Sequence, residues 1–404
     1  MLFEFSFYSS ILLIFFVHGL VYAILLWRKS IINDTVSDKW LGIFLFLCIL
    51  YISPWMLGFA GWYDTQPYRD ILFYVTFQHL FFIGPVIFFY VQSLLNPSFK
   101  FGKKEWLHLT PGILYCLYTL VIVVTDKLIL HKYYFLDDGA DREFDTWYQL
   151  AGYISMMSYF IACIRYYNLY KKLLVQVVSY ADTVLFKWIR NFLFVFLIFL
   201  VVRFIFFILS FSFTMRYWDV WWYFLSFSIL FYYIAITGYA NSIKTKVPFK
   251  ADLFNAKPAL LLYYATAYND FEEAEVIEME DNTEENADND FLKEWKPKIL
   301  QAVVGEKLYE KPELSLTDLA RQLGTNASVL SKVVNKGFAM NFNDFINYYR
   351  VQAVTEKLKA GEQKTQTLLG IAYDSGFNSK ATFNRAFKKA IGVNPKEWLQ
   401  QQAS

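Results

Sequence analysis

The chain has 404 residues, of which 56% are hydrophobic and 21% aromatic, and it carries a formal net charge of +2 at pH 7. Charged residues are only 18%, below the roughly 25% usual for soluble domains, and the apolar excess falls almost wholly before Ser242. A uniformly soluble chain is therefore excluded, and the length leaves room for two or three domains.

Seven stretches are apolar and long enough to cross a bilayer, which takes about 20 residues per helix. They are Phe5–Trp27, Trp40–Tyr63, Ile71–Leu95, Trp106–Thr125, Trp147–Tyr170, Asn191–Phe213 and Val220–Ser242. The first four and the last contain no Asp, Glu, Lys or Arg. The first stretch does not read as a cleaved signal peptide, because "MLFEF" lacks a basic leader and no small-residue cleavage site precedes "WRKS". Cys48, Cys116 and Cys163 lie in apolar runs without a CxxC pair, so they read as small buried residues rather than zinc, redox or disulfide positions.

Orientation follows from Lys and Arg in the connections. One alternating set holds Arg28, Lys29, Lys39, Lys100, Lys103, Lys104, Lys171, Lys172, Lys187, Lys244, Lys246 and Lys250. The other holds Arg69, Lys127, Lys132, Arg142 and Arg216. Twelve against five places the first set in the cytoplasm, the N-terminus outside and the C-terminal domain inside a multi-pass cell-membrane protein. The outer loops are short, so a stimulus must be read by the bundle, the bilayer or a partner. Arg203, in mid-span, is a functional-site candidate because a charge there is costly. Gln78 and His79 lie at similar depth in the third span, and the three together form a candidate ligand pocket. Pro54 and Pro85 each remove a helical hydrogen bond and are expected to kink their spans.

After Ser242 comes a basic patch, then "ALLLYYATAY", too short to span and readable as helix or strand. Asp270–Asp290 holds eleven acids and no Lys or Arg, the composition of a solvated spacer. As a flexible coil the whole connector would reach roughly 40 Å.

From Phe291 onward there are 17 Lys or Arg against 10 Asp or Glu. "SLTDLARQLG" opens with Ser315 as N-cap, places Asp318 in the first turn and ends at Gly324. "TNASVLSKVVNK" begins a second helix behind Asn326, and small Ala320 at the crossing suits a helix-turn-helix. The pattern returns about 52 residues later, where "IAYDSGFNSKATFNRAFKK" matches "LARQLGTNASVLSKVVNK" with one extra residue in the turn. "FNDFINYYRVQAVTEKLKAG" joins the copies, with Phe345, Ile346, Tyr349, Val351 and Val354 on a broad apolar face.

On these motifs, above all "IAYDSGFNSKATFNRAFKKAIGVNPKEW", residues 295–402 resemble the DNA-binding domain of the AraC/XylS family of transcription regulators. The resemblance implies seven helices, with two helix-turn-helix units reading successive major-groove segments. Carried over by position, it assigns Ser328, Ser331 and Lys332 to the first recognition helix and Lys380, Ala381, Asn384 and Arg385 to the second. Lys332, Lys380 and Arg385 can reach guanine edges and Asn384 suits adenine, whereas Lys336, Lys388 and Lys389 suit phosphates. Leu330, Phe383 and Phe387 are core.

The expected fold class is thus all-α: a seven-transmembrane helix bundle (1–242), a basic then acidic linker (243–290), and a soluble all-helical domain with two helix-turn-helix units (291–404). The expected function is a membrane-tethered transcription regulator. Its partners are double-stranded DNA, the lipid bilayer, an unidentified small-molecule or membrane-derived signal, and a second copy in a homodimer. No cofactor or metal is implied, and no HExxH, GxSxG or GxxxxGK[ST] supports an enzyme. The alternative is a membrane transporter or receptor with a regulatory tail.

Overall fold

The computed structural model describes residues 3–209, 217–241, 249–251, 260–263, 274–277 and 288–403. Contacts divide the chain into two compact units, Met1–Tyr167 with Lys187–Lys246, and Asn168–Phe186 with Val247–Ser404.

The first unit is a helical bundle of α1 (Phe7–Asn33), α2 (Val36–Gly58), α3 (Tyr68–Tyr74), α4 (Leu80–Leu95), α5 (Lys103–Val123) and the start of α6 (Thr146–Val177). After the short α7 (Ala181–Val184), which belongs to the second unit, α8 (Lys187–Leu209) and α9 (Trp221–Ala240) complete it. Ser6 starts α1 by accepting a bond from Ser9 N at 3.1 Å. Among the described residues, five helices are long and apolar enough to cross a membrane: α1, α2, α5 with its continuation to Ile129, α8, and α9 with the turn before it. Apolar side chains stand exposed along them, among them Ile14, Leu114 and Ile198. Faces of this kind suit lipid, where only the backbone must be satisfied internally.

The expectation of seven spans is corrected to five such helices among the described residues. Ile71–Leu95 is not one helix, because Val75–His79 breaks it between α3 and the 16-residue α4. The cause lies in a distant loop: Glu143 Oε1 accepts bonds from Phe77 N at 2.6 Å and Gln78 N at 2.8 Å. Both donors belong to the non-helical stretch just before α4, so Glu143 satisfies buried backbone that has left the helical pattern. In the fifth stretch, α6 is continuous, but Gln149, Arg165, Asn168, Lys171 and Lys172 make it too polar for the same class. The end of the sixth stretch, 210–213, and Arg216 lie outside the described residues. Pro85 sits within α4 and Pro54 within α2 without ending either helix. Cys48 and Cys163 are buried and Cys116 is half-buried, all as free thiols.

Burial pushes the Asp141 carboxyl up to about 7 and holds Glu143 above the usual carboxylate range, with Asp141 adding to the latter. The folded state therefore holds a proton that the unfolded chain releases near its ordinary 3.8. The stability so contributed is complete below that value and lost as pH rises through about 7. We expect the bundle to melt at lower temperature at pH 8 than at pH 5, with Asp141→Asn reducing the difference. An unchanged pH slope in that variant would remove Asp141 from this account.

In the connector, β1 (Phe249–Ala251), β2 (Leu260–Tyr263) and β3 (Ala274–Ile277) form an antiparallel sheet in the order β1-β2-β3. The register pairs Phe249 with Leu262 and Leu261 with Val276. "ALLLYYATAY" thus contributes a strand, and part of the acidic block is paired rather than coil. The rest of that block up to Ala287 and the basic patch 244–246 lie outside the described residues.

The second unit continues with α10 (Asp288–Leu300), α11 (Leu316–Gln322), α12 (Ala327–Lys332), α13 (Phe342–Lys359), α14 (Leu368–Asp374), α15 (Lys380–Ile391) and α16 (Pro395–Ala403). Ser315 and Asp318 cap α11 reciprocally, each backbone N–H donating to the other's side chain at 3.1 Å. Asn326, Thr367 and Ser379 likewise cap α12, α14 and α15. Two cores form at the two ends of α13. Phe342, Phe345 and Ile346 pack with Leu316, Leu319, Leu330 and Val333. Val351, Val354 and Leu358 pack with Ile371, Phe377, Phe383 and Phe387. One long helix thereby carries two helix pairs, α11–α12 and α14–α15.

Candidate nucleic-acid interface

α15 is divided cleanly by its 3.6-residue period. Thr382, Phe383, Ala386 and Phe387 are buried, while Lys380, Ala381, Asn384, Arg385, Lys388 and Lys389 are exposed on the other side. The helix begins at the Ser379 cap and ends where Gly392 adopts φ +92°. Cations and one amide therefore share a face that nothing in the core requires. Two of them already have partners: Lys389 Nζ lies 2.6 Å from Asp344 of α13, and Arg385 is ion-paired with Asp182 of α7.

α12 is less open. Lys332 is exposed, with Nζ 5.7 Å from the Phe291 ring centroid, and Ser328 and Lys336 are half-buried. Ser331 is buried, and its hydroxyl accepts from Asn335 Nδ2 at 3.4 Å, so it does not face outward. Strand β3 lies beside α12.

Arg350 went unread in the sequence. It is fully buried on α13, and burial pulls its guanidinium down to about 9. Its acceptors are neutral oxygens: Tyr309 O at 2.8 Å, Lys311 O at 2.7 Å, Asn347 Oδ1 at 3.1 Å and Ser179 Oγ at 3.1 Å. Ser179 comes from the segment after α6, a sequence separation no local pattern reveals. The available signal was a charge on the apolar stripe, since Arg350 stands four residues from both Ile346 and Val354.

Neither Gln78 nor His79 lines the cavity that holds Arg203. Arg203 lines a cavity of about 300 Å³ with Phe199, Phe206, Asp219, Trp222 and Tyr223. Its guanidinium carbon lies 4.6 Å from the Tyr223 ring centroid and 5.8 Å from that of Tyr153, and its Nε has no hydrogen-bond partner among the described residues. Gln78 is instead buried, its amide oxygen accepting from Gln149 Nε2 at 2.9 Å. His79 packs at the start of α4, 5.8 Å from the Phe82 ring. The structure uses Gln78 to build the helix break, within which His79 also lies.

A family model described as a helix-turn-helix domain matches residues 319–401. The C-terminal unit carries such a domain. Over 92 residues the chain is 30% identical to an uncharacterised HTH-type transcriptional regulator of Staphylococcus aureus strain COL, covering 23% of this chain and 12% of that one. Over 82 residues it is 34% identical to the TCP pilus virulence regulatory protein of Vibrio cholerae, covering 20% of this chain and 28% of the relative. The chain thus spans a minor part of these relatives. A solved structure of a protein of unknown function from Listeria innocua aligns at 28% identity over 26% of this chain and 95% of its own, with a TM-score of 0.23.

Proposed function

We propose that this protein is a membrane-tethered, DNA-binding transcription regulator of the AraC/XylS type, and not an enzyme. The observation that carries the reading is the exposed face of α15, within a segment similar to transcriptional regulators. In this reading α11–α12 and α14–α15 are two helix-turn-helix units. Lys332, Lys380, Asn384 and Arg385 read base edges, while Lys336 and Lys388 hold phosphates. Ser328 and Ala381 are too small to contribute much, and Ser331 and Lys389 serve the fold as it stands. Residues 1–242 act as sensor or anchor, 243–290 as linker and 291–404 as the DNA-binding domain. The charge asymmetry of the connections sets the N-terminus outside and the DNA-binding domain in the cytoplasm. A homodimer would raise the effective concentration of two readers at paired sites.

The full chain in lipid nanodiscs should bind duplex DNA with log affinity falling about 0.9 per phosphate neutralised for each decade of salt. Lys388→Ala should weaken all sequences about equally, whereas Asn384→Ala should relax one base position by about 1–3 kcal/mol. Duplex affinity no greater than that of a neutral membrane protein would end this reading.

The Arg203 cavity is the proposed sensing site, fitted to a small amphipathic molecule with an anionic group. In a reporter strain, Arg203→Leu should abolish stimulus-dependent transcription while membrane insertion and DNA binding persist. An intact response would take Arg203 out of the mechanism.

A further inference from the structure

The stretch between α6 and α8 belongs to the same compact unit as the helix-turn-helix domain, and it is built into that unit. Val178 forms an antiparallel bridge with Ser315. Ser179 donates to Leu314 O through both its backbone N–H, at 3.0 Å, and its hydroxyl, at 2.8 Å. Its carbonyl accepts from Asn343 Nδ2 at 2.9 Å and Asn347 Nδ2 at 3.3 Å, and Arg350 holds its hydroxyl. Val178, Ser179 and Ala181 are buried. Three residues past this anchor, α7 packs on α15, and Asp182 is ion-paired with Arg385. The Asp182 side chain is only 7% exposed, whereas that of Arg385 is 52% exposed. The other Asp182 carboxylate oxygen has no hydrogen-bond partner among the described residues.

We propose that 178–184 is an autoinhibitory latch on the DNA-reading helix. The inference rests on the assignment of α15 as that helix. The anchor at Ser179 fixes α7 beside α15, and Asp182 occupies the cation that would otherwise reach a base edge. Arg385 Nη1 donates to Asp182 Oδ1, and while it does so it is withdrawn from the two parallel bonds by which an arginine reads guanine. DNA and Asp182 therefore compete for Arg385, and binding requires α7 to withdraw. The latch is joined covalently to α6 at one end and to α8 at the other, so a change in these helices can release it. The acidic block would act only by diffuse repulsion of phosphate. Asp182 acts by one directed pair, so its effect is specific to this residue.

The test uses the full chain in lipid nanodiscs and a duplex selected from a random-sequence pool by the Asp182→Asn chain. Asparagine has the volume of aspartate, so the packing of α7 is retained. Asp182→Asn should bind that duplex at least about fivefold more tightly than the parent, at the lower end of ordinary coupling between sites. The gain should shrink as salt screens the pair. Independently, adding the duplex to the parent chain should speed amide exchange over 180–184. If both chains bind equally well and exchange there is unchanged, the latch is overturned and the DNA-reading assignment stands. If neither chain binds any duplex, the assignment fails and takes the latch with it.

Discussion

Gly376→Ala should disrupt the α14–α15 pair, whereas Gly324→Ala, at the equivalent turn of α11–α12, should be tolerated. Both glycines hold positive φ, +91° at Gly376 and +64° at Gly324. The left-handed conformation costs a non-glycine residue about 1–2 kcal/mol in either place. The difference is space. A Cβ at Gly376 would stand 2.3 Å from Tyr309 O and 2.9 Å from Glu310 Cα, while one at Gly324 meets nothing within 4 Å. Backbone cannot move aside as a side chain can, and Tyr309 O also accepts from Arg350 Nε at 2.8 Å. Overlap of this kind adds about 1–3 kcal/mol or more to the conformational cost. Amide exchange over 368–391 should therefore approach that of an unfolded segment in Gly376→Ala and change modestly in Gly324→Ala. Equal effects at the two turns would refute the argument from close approach.

Arg350→Met should be comparably severe, through the opposite route. Methionine fills much of the volume but removes every donor. It leaves Tyr309 O, Lys311 O and the Ser179 hydroxyl buried around an apolar side chain. Each buried acceptor left without its donor costs about 1–3 kcal/mol. The loss should appear as joint opening of 178–182 and 308–312 in amide exchange. Arg350→Lys should recover only part, since an ammonium has three donors and no planar fork. If 178–182 stays as protected in Arg350→Met as in the parent, Arg350 does not anchor that segment.

Much of the C-terminal unit was legible because its signals are local. Ser315, Asp318 and Gly324 act through neighbours a few residues away. Phe383 and Phe387 fall inside because a helix of period 3.6 puts them opposite Lys380 and Arg385. The bundle was legible at a coarser level, since runs of apolar residues report a need for a non-aqueous surrounding but not whether the run stays one helix. Ile71–Leu95 shows the limit. It contains no charge and has no breaker at Val75–His79, yet Glu143, in a loop 66 residues away, takes the Phe77 backbone donor inside the break. The same distance problem hid the connector sheet, whose strand pairing depends on partners rather than on intrinsic helix or strand preference.

The sequence by itself determined that this chain joins long apolar helices to a basic helical domain, and which face of α15 turns outward. Those properties depend on composition and on periodicities that any stretch of helix must obey. Only the tertiary structure decided what those faces meet. Gln78, matched to Arg203 by depth, serves the α4 break, because Glu143 and Gln149 take its backbone N–H and its side-chain oxygen. Ser331, placed for base contact by its position, turns into the core. Arg385, exposed by its helix, lies against Asp182, which is 203 residues away in the chain. Burial and pairing are properties of three-dimensional neighbourhoods, and a linear pattern records only one partner of each.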